Sequence, residues 1–506
     1  MTQDTARASR LPLLLAPLLG ALAVAGFAPY ELYPLPILSL AGIFLLWRAA
    51  PNARCAAWLG LLWGWGFFLC GISWVFVSLH IVGGMFLPLA LLSTLMFCTL
   101  PALYPALAGA LFRRFLTGRP IADALLAAAL WMLCEWLRGW LLTGFPWLAS
   151  GYAQTPPSPL AGYAAVIGSY GISLIAALLS GLLAFCLHGV GPRIRIAALL
   201  AALTLIVGGA LLTRIHWTQP TGAPISVTLL QGNIPQESKW DADRLKMSLD
   251  VYEQLAQSHP AQLRILPETA LPMFVHEIPP AFLAMLMDQG PTITGAANLI
   301  YASGKPRGYT NVALALEHGR AFQYYAKTHL VPFGEYIPAG FAWLIAQMEM
   351  PMSDFSPGAK YQSPLEIAGQ KIAANICYED LFGEEIIRAL PQATLLVNLS
   401  NTAWFGDSLM QPQHLQIARM RALETGRVML RSTNTGMTAA IQPDGQVSAV
   451  LPAFTAAALT VQAQGYSGST PYVRWGNTLA LLLAILALLP ALRWRRNPPP
   501  APSASP

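Results

Sequence analysis

Apolar runs of bilayer-crossing length fill most of the first 212 residues, and one more stands near the C-terminus. They fall at 11–27, 33–47, 56–79, 85–112, 121–136, 160–187, 196–212 and 477–492. A helix needs about 20 apolar residues to cross the hydrocarbon core of a membrane. Backbone groups in lipid must also be satisfied within the segment, which leaves helices or closed barrels. The runs therefore predict a polytopic α-helical membrane bundle of eight spans, although those at 33–47 and 121–136 are short. From 215 to 475 the pattern changes to short apolar stretches broken by Pro, Gly and charge, as in a domain facing water. The expected organisation is a seven-span region (1–214), an α/β domain (215–475), an eighth helix (476–496) and a Pro/Ser/Ala-rich tail without fixed structure (497–506).

Charge supports this division. Charged residues are 11% of the chain and the mean hydropathy is +0.50. The formal net charge of +6 hides two different parts. Residues 215–474 carry 16 Lys+Arg against 20 Asp+Glu and hold all six lysines; the rest carries 14 Arg against 4 acids. The basic total is thus no sign of a nucleic-acid partner. It is a topology signal, because positive residues near span ends favour the cytoplasm. With eight spans, Arg7, Arg10, Arg48, Arg54, Arg113, Arg114, Arg119, Arg193, Arg195, Arg493, Arg495 and Arg496 all fall on one side, and Arg138 and Arg214 are the exceptions. Both termini are expected in the cytoplasm and the α/β domain on the far side. Arg10, the following apolar run and Ala23-Val24-Ala25 are similar to a cleavable signal; the segment is read as a retained helix.

Cys55, Cys70, Cys98, Cys134 and Cys186 lie in or beside the runs, and Cys377 alone lies in the α/β domain, which excludes a disulfide within it. Strands are expected at 225–230, 262–266, 292–297, 311–316, 322–327, 371–376, 394–398, 428–432 and 438–441, with helices at 242–258, 384–390 and 411–425. Three polar residues stand at strand ends: Glu268, Lys327 and Cys377. Such ends are where a rigid scaffold meets an open crevice. A thiol, a cation that favours its thiolate or a developing oxyanion, and a carboxylate base together suffice for acyl transfer through a thioester. Singly, each has a bland reading: a solvated carboxylate, a surface lysine, a small buried hydrophobe. His329 and His414 raise a Cys–His pair, but His329 lies two residues from Lys327 and is read as its structural neighbour. The sequence holds no His-Glu-x-x-His motif and no phosphate-binding Gly-rich loop ending in Lys-Ser/Thr. No metal or cofactor is expected.

Longer strings surround these residues: Gln231-Gly232-Asn233-Ile234-Pro235-Gln236, Lys327 through Pro338, Asn398 through Gly406, and Phe145-Pro146-Trp147 between the fifth and sixth runs. With the Glu–Lys–Cys order and the membrane layout, the chain resembles the bacterial apolipoprotein N-acyltransferases, membrane members of the nitrilase (carbon–nitrogen hydrolase) superfamily. The resemblance implies an α-β-β-α sandwich for the α/β domain, held in the periplasm by an inner-membrane bundle. It implies a catalytic triad of Glu268, Lys327 and Cys377, with Glu335, Tyr378, Glu379 and Trp240 supporting or binding substrate. The implied donor is a phospholipid, usually phosphatidylethanolamine, and the implied acceptor a diacylated apolipoprotein. An apolar, Met-rich stretch from Ile337 to Phe355 would suit a lipid-touching lid. Rival readings are a membrane-anchored amidase with water as acceptor, and a transporter or sensor using Asp123 and Glu135 with a degenerate hydrolase domain.

Overall fold

Prolines and one asparagine set where the membrane helices begin. In the computed structural model, which describes residues 10–187, 189–235, 242–337 and 354–496, α1 (Leu11–Val24), α2 (Pro34–Ala49) and α3 (Ala53–Gly71) are followed by α4 (Leu87–Phe115), α5 (Pro120–Arg138), α6 (Ala164–Cys186) and α7 (Pro192–Leu212). Proline opens α2, α5 and α7, where its fixed φ suits the first turn and no amide hydrogen is needed. Asn52 caps α3, its side chain accepting from the Cys55 amide at 2.9 Å. Another helix runs Thr478–Arg496. Trp240, the lid side chains from Phe341 to Met352 and the tail at 497–506 lie outside the described residues.

Among the described residues, five helices are long and apolar enough to cross a membrane: Ala53–Gly71, Leu87–Phe115, Pro120–Arg138, Pro159–Cys186 and Pro192–Leu212. Leu11–Val24, Pro34–Ala49 and Thr478–Leu492 are shorter apolar helices. The run at 121–136, short in sequence, is thus of spanning length, whereas 11–27 is reduced to a helix ending at Val24. The third run was expected to reach 79, yet its helix stops at Gly71.

The chain divides into two compact units. The first is built from the residues up to Phe76, Met85–Ile215 and the segment from Asn477 onward. Its interior is aromatic and small. Trp63 and Trp131 meet edge to face at 5.2 Å, and the Trp63 indole donates to Ser39 at 2.9 Å. A Cβ on Gly20 of α1 would lie 2.0 Å from the Trp63 carbonyl of α3, so only glycine permits that approach. Outward it shows Leu14, Leu18, Leu91, Leu92, Leu200 and Leu203, all exposed. Its buried charges are tied down locally. Asp123 accepts from the Thr117 amide and hydroxyl at 2.8 and 2.7 Å. Glu135 accepts from the Ser150 amide and hydroxyl at 2.9 and 2.6 Å. Arg138, an exception to the arginine pattern, is buried and donates to the Phe145 and Trp147 carbonyls, each at 2.6 Å. Trp147 is itself buried, its ring 4.9 Å from Trp74.

The second unit is His216–Gly476 together with Val77–Gly84. That short segment belongs here, lying against the turn Ala403–Phe405, where a Cβ on Gly406 would sit 3.0 Å from Val77. The strands are β1 (Thr218–Pro220), β2 (Ile225–Gln231), β3 (Leu263–Ile265), β4 (Thr292–Ala302), β5 (Lys305–Leu316), β6 (Gln323–Ala326), β7 (Leu365–Ile367), β8 (Gln370–Ile376), β9 (Leu395–Ser400), β10 (Met429–Thr433), β11 (Ala439–Ile441), β12 (Val447–Val450), β13 (Ala457–Ala463) and β14 (Tyr466–Gly468). They form one six-stranded sheet ordered β13-β2-β3-β4-β5-β6 and another ordered β12-β11-β10-β9-β8-β7, with β1 and β14 paired apart. Alternation explains the layering. Val227, Leu229 and Ile265 of one sheet meet Ile372, Val397 and Leu399 of the other. On the outer faces, Leu230 and Leu266 pack with Tyr252 and Ala256 of α8 (Ala242–Ser258), and Val312 and Leu314 with Phe282 and Leu286 of α9 (Pro280–Asp288). Leu396 and Met429 pack with Leu415, Ala418 and Ala422 of α10 (Met410–Thr425). This unit is an α-β-β-α sandwich and the other an apolar helical region, as expected.

Candidate active site

Glu268, Lys327 and Cys377 each follow a strand by one to three residues: β3, β6 and β8 respectively. Glu268 sits in a turn pressed against β4, where a Cβ on Gly295 would lie 2.6 Å from its Cα. Its Oε2 accepts from the Asn401 amide at 2.8 Å. Its Oε1 accepts from Asn311 at 2.8 Å and faces the Lys327 ammonium at 3.4 Å.

Lys327 is buried, its side chain 1% exposed, and its amide donates to the Asn311 carbonyl at 2.8 Å. Its Nζ donates to Glu335 Oε1 at 2.8 Å. Burial alone would drive the proton off this ammonium; Glu335 and Glu268 outweigh it and hold the proton more tightly than usual. Glu335 is fixed in turn, its Oε2 accepting from the Val331 amide at 2.8 Å and its Oε1 also from Asn311 at 3.1 Å.

Cys377 opens a short 3-10 turn with φ +53°, the left-handed region that L residues rarely occupy. Burial raises its thiol pKa well above the ordinary range; Glu268 adds to this, Lys327 opposes it, and Glu335 and Asp380 add further. Lys327 thus favours the thiolate, as expected, but burial and the carboxylates together outweigh it. A thiol whose proton is held this way needs an acceptor for it when the sulfur attacks.

Glu379 has a bracing role. Its Oε1 accepts from the Thr328 amide at 2.7 Å, the His329 amide at 3.1 Å and the Tyr325 hydroxyl at 2.9 Å, while Oε2 accepts from the Ile376 amide at 2.7 Å. It thereby clamps the end of β6, next to Lys327, to the end of β8, next to Cys377. Burial raises this carboxyl, with Lys327 and the amide donors pulling it back. The Tyr378 ring meets Phe382 at 5.3 Å and His329 at 5.8 Å. The His329 ring stacks on Phe382 at 3.7 Å and its Nδ1 faces Glu385 at 3.4 Å. Trp240 lies outside the described residues. Among the described residues there is no cluster of His, Cys, Asp and Glu able to hold a metal.

The apolipoprotein N-acyltransferase N-terminal domain family matches residues 19–182, and the carbon-nitrogen hydrolase family matches residues 226–472. An apolipoprotein N-acyltransferase from Nitrosomonas europaea is 48% identical over 93% of this chain and 95% of its own. Those of Ralstonia nicotianae and Chromobacterium violaceum are each 46% identical over 96% of this chain, and over 93% and 94% of their own. The chain belongs to the apolipoprotein N-acyltransferase family. Among solved structures, a nitrilase-superfamily amidase from Nesterenkonia aligns at 18% identity over 50% of this chain and 95% of the amidase, with a TM-score of 0.37, a likeness too weak to argue from.

In this N-acyltransferase three of the quoted strings, 231–236, 327–338 and 398–406, converge on Glu268. Asn434 binds the Ile234 amide at 2.9 Å and the Asn401 side chain at 3.0 Å, and Asn401 supplies the amide to Glu268. Sequence reasoning missed Asn311, which joins both carboxylates, and the pair Asp380 and Arg431 behind Cys377. Asn311 was visible as a polar residue in a strand, but its partners are 43 and 24 residues away in sequence.

Proposed function

We propose that this chain transfers an acyl chain from the sn-1 position of a phospholipid such as phosphatidylethanolamine to the α-amino group of an S-diacylglyceryl cysteine at the N-terminus of an apolipoprotein. The supporting observation is the buried junction where the Lys327 ammonium lies between Glu335 and Glu268, with the Cys377 turn braced against it through Glu379.

The Cys377 sulfur attacks the ester carbonyl as Glu268 takes the thiol proton. Lys327 and the Tyr378 amide hydrogen face the oxyanion of the tetrahedral intermediate. Its collapse breaks the ester bond, and Glu268 returns the proton to the departing lysophospholipid oxygen, leaving a thioester on Cys377. The acceptor amine then attacks the thioester, losing a proton to Glu268. The carbon–sulfur bond breaks and the sulfur recovers that proton. Glu335 keeps Lys327 charged throughout; the retained charge suits it to electrostatic work rather than proton transfer.

Five helices of membrane-crossing length suit an enzyme with two lipid substrates. With all eight apolar helices spanning, the arginine distribution puts both termini in the cytoplasm and the Cys377 domain in the periplasm.

The test is intact-protein mass spectrometry after incubation with phosphatidylethanolamine vesicles. One acyl chain should appear on Cys377, be released by hydroxylamine, and be discharged onto an added diacylated lipopeptide. An adduct formed from a soluble amide but not from phospholipid would instead favour the amidase reading.

A further inference from the structure

The outer face of the second sheet carries polar side chains where its alternation calls for apolar ones. Asn375 of β8, Asn398 of β9 and Arg431 of β10 stand in register on adjacent parallel strands. Their neighbours on that face, Ala373, Leu396 and Met429, pack beneath α10. All three polar residues are buried, as are Asp380 of the Cys377 turn and His414 of α10.

The bonds among them run toward Cys377. Asp380 Oδ1 meets His414 Nε2 at 2.7 Å, and its Oδ2 accepts from Arg431 Nη1 at 2.9 Å. Arg431 Nη2 meets His414 Nδ1 at 2.6 Å. A guanidinium only donates, so Nδ1 accepts, the ring proton faces Asp380 from Nε2, and His414 is neutral. Burial and Arg431 push the His414 pKa down against the pull of Asp380. Arg431 Nη1 also donates to Asn398 Oδ1 at 3.0 Å. The Asn398 amide nitrogen then donates to Asn375 at 2.6 Å and to the Cys377 carbonyl at 3.2 Å.

A buried ion pair is poor value as a stabiliser, since apolar residues of similar volume often serve as well or better. What this one adds is geometry at the sulfur. We propose that Asn398, Asp380, His414 and Arg431 are positioning residues that hold the left-handed backbone of Cys377, so that its thiol faces Glu268 and Lys327. The proposal rests on Cys377 being the nucleophile. None of the four touches the substrate; they act through the Cys377 carbonyl and the turn that contains Asp380.

The test uses the full chain in phosphatidylethanolamine vesicles, with Asn398→Ala and Asp380→Asn. Asn398→Ala removes one donor to the Cys377 carbonyl and leaves the Asp380–Arg431 pair in place. It should slow Cys377 acylation about 10- to 100-fold, the scale of a small misplacement of reacting atoms, with KM for the phospholipid unchanged.

Iodoacetamide alkylation of Cys377 gives the second readout. The charged groups acting on the thiol are Glu268, Lys327, Glu335 and Asp380, with Arg431 behind it and His414 neutral. Asp380→Asn deletes one carboxylate and keeps Arg431, so the alkylation midpoint should move to lower pH. Wild-type acylation rates in both variants overturn the proposal. So does a folded Asp380→Asn protein that melts earlier with an unmoved midpoint. If Asp380→Asn fails to fold, Asn398→Ala decides alone. A wild-type protein that never acylates Cys377 would instead sink the functional reading beneath it.

Discussion

The helical unit and the sandwich unit invert each other. The first shows leucine to its surroundings and packs inside through tryptophan, small residues and glycine. The second buries Arg421, Arg427, Arg431, Lys327, Glu268, Glu379 and Asp380 among its sheets and helices. Lipid is as apolar as a protein core, so hydrophobicity cannot tell the two sides of a spanning helix apart, and close approach has to fix the packing. In the sandwich, alternation fixes register, and charge can then be placed at chosen strand ends. Specificity lies in steric fit in one unit and in polar pairing in the other.

The largest expected effects lie at that polar pairing. Cys377→Ala should abolish the acyl-enzyme and reduce turnover by about 10⁴-fold or more, read by mass spectrometry and lipopeptide acylation. Glu268→Gln should cost about 10²- to 10⁴-fold in the same assay, the usual range for a proton-transferring group. Turnover near wild type in either variant would break the contrast at its strongest point. Leu399→Ala, between the two sheets, should destabilise the sandwich by about 2–5 kcal/mol in denaturant unfolding. Gly20→Val should cost about 1–3 kcal/mol by overpacking against Trp63. Leu91→Ala, on an exposed position of α4, should stay within about 0.5 kcal/mol of wild type; a larger loss would mean that face packs against protein.

A pH experiment sharpens the same contrast. Burial and the carboxylates raise the Cys377 thiol, so its alkylation should be slow at neutral pH and climb only above the ordinary thiol range. Lys327 is a group that pulls the other way. Lys327→Met should therefore move the midpoint higher still, measured on the Cys377 peptide across a pH series. A lower midpoint would mean that Lys327 does not act on the sulfur.

Much of this was legible in the sequence. Glu268, Lys327 and Cys377 were legible as candidates because they stand at strand ends, and α8 falls at 242–258, where its pattern placed it. Other elements were hidden for physical reasons. β13, Ala-Ala-Leu-Thr-Val-Gln-Ala, is half-exposed and owes its form to pairing with β2. β7 is three residues long and is defined by β8. Asn398 read as part of a motif, but Arg431 looked like an ordinary charge in a strand. Only the parallel register brings the two together.

One consequence follows from Val77–Gly84, the segment between α3 and α4 that belongs with the sandwich. The sandwich unit is not a contiguous stretch of the chain. A soluble fragment cut at His216 and Gly476 would leave its Ala403–Phe405 turn without the residues that cover it. Those residues are translated long before the rest of their unit, so their contact with the turn forms only after synthesis has passed Phe405.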